Sequence, residues 1–60
     1  MAMNFSQLIA QERKAYRNAP LRELRNVRLA LALHAWGNTT QEQARAQAIE
    51  TIIHERLASK

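Results

Sequence analysis

The sequence predicts an all-α fold, either a small three-helix bundle or a helical hairpin with an additional N-terminal helix. Three observations predict it. Pro20 and Gly37 are the only proline and the only glycine in 60 residues. Between them and on either side, apolar residues recur at three- and four-residue spacing, the period of a helix face. The breaks leave connections of only a few residues, and short connections set neighbouring helices antiparallel. One helical domain over 1–60 follows, with helices over about 5–18, 20–36 and 40–58.

The first helix opens at Asn4 or Ser6. Asn4 followed three residues later by Gln7 has the spacing of a capping box, in which each residue's side chain takes up the other's free backbone N–H. Along this helix Phe5, Leu8, Ile9, Ala15, Tyr16 and Ala19 share one arc at about 100° per residue. Glu12 lies in the middle of that arc. A carboxylate there costs free energy unless it is paired or hydrogen-bonded; an arginine of the second helix, Arg25 or Arg28, is the expected partner, and a solvated position at the rim is the alternative.

Pro20 suits the first turn of the second helix, because its missing N–H would have no intrahelical partner there and its φ is already helical. Gly37, or Asn38 after it, is expected to take the left-handed conformation that ends this helix. Thr39 and Thr40 are both N-cap candidates for the third helix, with Glu42 and Gln43 at the reciprocal positions. The third helix offers Ala46, Ala48, Ile49, Ile52, Ile53 and Leu57 as its apolar face, opposite Gln43, Gln47, Glu50 and His54. Arg45 and Arg56 fall within the apolar arc, where their aliphatic stems can lie over apolar surface with the guanidinium in water, or where they can pair with an acid such as Glu12.

The second helix has two apolar sides. Leu21, Leu24, Val27, Leu31 and Ala35 form one wide stripe, the natural core face. Leu29, Leu33 and Trp36 lie about 150° round, in line with Arg22 and Arg25, so this second stripe is basic near its start and apolar near its end. Two arrangements account for it. The second helix is central, with the first helix on one stripe and the third on the other; or the second stripe is an exposed patch, the mark of a binding site.

Size favours association. A chain of this length buries only about 60% of the surface its unfolded form exposes, and domains this small usually need a further support. No cysteine is present to form a disulfide. His34 and His54 are the only borderline zinc ligands and stand without a cysteine, so no metal or other cofactor is expected. A second copy of the chain is the remaining support, and the expected state is a homodimer.

Catalysis is not expected. There is no Gly-rich phosphate loop, no paired-carboxylate motif and no histidine pair at i, i+4, and a three-helix chain of this size leaves little room for a cleft that could gather a nucleophile and a base. His34 and His54 read as surface histidines. No small-molecule substrate is indicated. The N-terminal stretch Met1 to Phe5 has neither a basic region nor a long apolar run, so no secretory signal is expected, and no segment approaches the roughly 20 apolar residues of a membrane span. With the absence of cysteine, these features point to the cytoplasm.

Nine Lys and Arg against five Glu leave a net charge of +4. Arg13, Lys14, Arg17, Arg22, Arg25 and Arg28 cluster across the first interhelical turn. Such a cluster could contact nucleic-acid phosphates, although Glu12 and Glu23 interrupt it and Tyr16 is its only aromatic residue. The segment after Thr39 lacks the short turn that a helix-turn-helix requires before its recognition helix. The reading from sequence is therefore a non-catalytic, homodimeric protein-binding module that regulates, links or inhibits a larger protein through Arg22, Arg25, Leu29, Leu33 and Trp36. The alternative is a basic helical dimer that binds DNA or RNA through Arg13 to Arg28.

Overall fold

The structure, a computed structural model, describes residues 3–34 and 37–59; the expectations for Ala35 and Trp36 lie outside these residues. Among the described residues the chain is all-helical: α1 spans Phe5–Tyr16, α2 Leu21–Leu33 and α3 Thr40–Ala58. Asn4 and Gln7 form the reciprocal cap of α1, with Gln7 N–H donating to Asn4 Oδ1 at 2.8 Å and Asn4 N–H donating to Gln7 Oε1 at 2.9 Å. Thr39 and Glu42 do the same for α3. Both boxes satisfy backbone donors that a helix start leaves without an intrahelical acceptor.

α1 stops at Tyr16 because the chain is heading for a proline. The ring of Pro20 disfavours helical backbone at Ala19, and Ala19 N–H closes the turn on Tyr16 O at 3.1 Å. Pro20 itself stands one residue before α2 in extended conformation, φ −61° and ψ 149°. Neither Gly37 nor Asn38 takes the expected left-handed conformation, since no described residue has positive φ, which corrects that expectation. Instead Asn38 donates its side-chain amide to Leu31 O at 3.0 Å, and its own carbonyl accepts from the Gln43 side chain at 3.3 Å. One asparagine thereby ties the end of α2 to the first turn of α3.

The central element is α3, not α2: both α1 and α2 pack principally on α3. This follows from which helix has enough buried surface to serve two neighbours. α3 buries Ala44, Ala48, Ile49, Ile52 and Ile53, whereas α2 buries only Leu24 and Leu31. Leu24, Ile49, Ile52 and Ile53 form the core cluster, with Tyr16, Ala19, Leu21 and Val27 packed against it. Ala44 and Ala48 have no accessible surface, so neighbouring atoms fill the space that larger side chains would take. The result is a slab of 38 × 25 × 15 Å.

Two expectations for the core are corrected. Phe5 and Ala15 are exposed, and the one buried residue of α1 is Glu12. On α3 the buried set includes Ala44, and Leu57 lies outside it, 46% exposed.

Candidate functional site

Polar contacts seat α1 on α3 and decide which cations remain available. Glu12 is 5% exposed and its carboxylate accepts from Arg45 Nε in an ion pair. The partner is thus Arg45 of α3, not Arg25 or Arg28 of α2. The hydrogen bond to Glu12 holds the Arg45 guanidinium above the ordinary arginine range, against the opposing effect of burial. The same guanidinium lies over the Tyr16 ring at 5.8 Å from its centroid, within cation–π range. The Glu12 carboxylate therefore enters an otherwise apolar arc already compensated.

Two further contacts join α1 to the C-terminal half of α3. Arg13 Nη2 donates to both oxygens of Glu55, at 2.9 and 3.0 Å, and Arg56 Nη2 donates to Arg17 O at 2.8 Å. The second contact closes the carbonyl end of α1, where a cation also meets the negative end of the helix dipole. Arg13, Lys14, Arg17 and Arg56 line an open groove of about 630 Å³ together with Ile52 and Glu55. Two of its four cations already have structural partners.

The other cations of the cluster are on α2. Arg22, Arg25 and Arg28 are exposed, and none of them forms an ion pair among the described residues. The six-residue basic cluster is therefore divided: Arg13, Lys14 and Arg17 belong to the α1–α3 groove, and Arg22, Arg25 and Arg28 to α2, which packs principally on α3.

Helix periodicity places Arg22, Arg25, Leu29 and Leu33 on one side of α2, within about 40° of Leu29. That side is open. Leu29 is 60% and Leu33 66% exposed, while Leu24 and Leu31 on the opposite side are 0% and 7% exposed. The arrangement in which the third helix covers this second stripe is corrected at these two leucines, because α3 sits against the Leu24 stripe instead. Trp36, placed on the same stripe by the sequence, lies outside the described residues.

The two histidines are not brought together with acids in a cluster: among the described residues no three His, Asp or Glu side chains are grouped to hold a metal ion. His34 is the exposed C-cap of α2. His54 is exposed, with Nε2 3.9 Å from Glu50 Oε1 one turn away. No helix among the described residues is long and apolar enough to cross a membrane. Comparison of the chain with protein-family models, with curated proteins and with solved structures finds no match.

Sequence patterning did not single out Asn38 as the tie between α2 and α3, or Arg56 as the cap of α1. Asn38 had a local signal, an amide directly after Gly37 and one residue before a strong N-cap. Arg56 had none, since its acceptor is 39 positions away.

Proposed function

We propose that this protein is a small, non-catalytic protein-binding module that works as a homodimer and regulates, links or inhibits a larger protein. The supporting observation is the exposure of Leu29 and Leu33, 60% and 66%, on a helix whose other side already supplies the core. Adjacent exposed leucines are costly to leave in water, and apolar patches with a polar rim mark interaction sites. Arg22 and Arg25 form that rim and would orient an acidic or carbonyl-rich partner surface. Trp36 is included in the proposed contact set from its place on the stripe. Nothing in this reading requires a cofactor, a metal or a small-molecule substrate. The absence of cysteine fits a reducing compartment, and the cytoplasm is the proposed location.

Sedimentation equilibrium across a concentration series tests this reading, with Leu33→Glu beside the wild type. The expected result is a wild-type dimer and a variant shifted to monomer with unchanged helix content. A variant that loses its helices would place Leu33 in the core and overturn the reading. So would a dimer that the substitution leaves intact.

A second reading rests on the cations of the Arg13 to Arg28 cluster that lack ion-pair partners among the described residues: Lys14, Arg17, Arg22, Arg25 and Arg28. They could contact DNA or RNA phosphates. A nucleic-acid titration at two salt concentrations checks it, since phosphate binding weakens steeply with salt, and absence of binding at low salt would end it.

A further inference from the structure

α2 has its cations away from the end that its own dipole favours, although Glu23 stands in its first turn. The carbonyl end of a helix carries a partial negative charge that favours cations in the last turn. α1 has Arg13 and Lys14 there and α3 has Arg56, but α2 has none. Its three arginines are Arg22 and Arg25, near its start, and Arg28, near its middle. At its carbonyl end, Leu31 O accepts the neutral amide of Asn38. The outer face of α2 thus runs from cationic at Arg22 and Arg25 to apolar at Leu29 and Leu33, next to an electronegative helix end.

Such a face is complementary to itself in one orientation. We infer that its occupant is a second copy of α2 lying antiparallel across a two-fold axis at Leu29, an inference that rests on the outer face of α2 being a docking face. Leu29 then meets Leu29 of the partner subunit, and Leu33 lies against the aliphatic stem of the partner's Arg25. The guanidinium of each Arg25 reaches the carbonyl end of the opposite α2 and supplies the cation that end lacks. Both contacts occur twice by symmetry, as an isologous interface requires. A parallel pair would instead set Arg22 and Arg25 against their own copies. Glu23 lies about 120° round from Leu29, too far round to offset that repulsion.

The chain has no cysteine, so single cysteines report the orientation directly. In the antiparallel pair Leu29→Cys is opposite itself. The two copies of Arg22→Cys are separated by about 21 Å along the axis, from a rise of about 1.5 Å per residue. Under mild oxidation, L29C is expected to cross-link at least tenfold more than R22C or L33C, and a mixture of R25C and L33C to give the mixed dimer. Circular dichroism confirms that each variant is folded, and the R25C and L33C mixture tests the register without altering Leu29.

Equal cross-linking of R22C, L29C and L33C would show a parallel pair and overturn the orientation, leaving the docking face standing. A wild type that sediments as a monomer at every concentration would overturn the second copy as occupant, leaving the face for another protein. A sedimenting dimer with no cross-link at any of these positions would overturn both the inference and the docking face.

Discussion

Replacing Arg45 by Met removes one half of the Glu12–Arg45 pair and leaves its carboxylate with nothing opposite. Breaking a fully buried pair in this way costs about 3 to 5 kcal/mol. The pair here is not fully buried: the Glu12 side chain is 7% exposed, but that of Arg45 is 32% exposed, so water reaches one partner and the cost falls to about 2 to 3 kcal/mol. The lost contact with the Tyr16 ring adds about 0.5 kcal/mol. Against a total of roughly 3 to 9 kcal/mol for a chain of this length, that is a large share of the stability. The double variant Glu12→Leu, Arg45→Met is expected to recover to within about 1 kcal/mol of wild type, because an apolar pair of similar volume needs no compensation. Urea unfolding followed by circular dichroism reads all four members of the cycle. If both single variants lie within about 0.5 kcal/mol of wild type and their effects add, Glu12 is effectively hydrated and the argument for a compensated charge is wrong.

Three further outcomes are expected. Gly37→Ala stabilises by about 0.4 to 1 kcal/mol, since the position lacks a positive φ and a Cβ there would meet nothing within 4 Å; a lower melting temperature would contradict it. Thr39→Ala costs about 1 kcal/mol, read by thermal melting, because Glu42 N–H loses its acceptor at 3.1 Å; an unchanged melting temperature would show that the cap is not needed. The Glu42 carboxyl is held below its ordinary value of 4.5, chiefly by the hydrogen bond from the Thr39 backbone. A lowered folded-state pKa stabilises above the unfolded value and is lost as pH falls through the folded one, so Glu42→Gln should flatten the pH dependence of melting below about 4.5 relative to wild type. Equal slopes in that range would refute the assignment.

What could be read from the sequence and what could not divides by distance along the chain. The capping pairs Asn4–Gln7 and Thr39–Glu42 act over three residues, so residue type and spacing contain all the physics. The Leu24 and Leu31 stripe of α2 is set by helix period alone. The partner of Glu12 is a different kind of fact: periodicity puts the acid on an apolar arc, but Arg45 is 33 positions away, and no local rule ranks it above Arg25 or Arg28. Ala44 escaped for another reason, since alanine is a good helix former on any face and only the close approach of a neighbour makes it core. On the outer face of α2 the pattern identified the residues, and their exposure depended on α3 packing against the opposite side.

The contacts that seat α1 have a consequence for the order of folding. They join residues 33, 39 and 42 positions apart, whereas Asn38 joins α2 to α3 across seven positions and five. Closing the shorter span costs less chain entropy and happens sooner. The α2–α3 hairpin is thus the natural nucleus, and α1, though synthesised first, is the last helix to find its place. Substitutions at Leu24 or Ile49 should slow folding, while those at Glu12 or Arg13 should chiefly hasten unfolding.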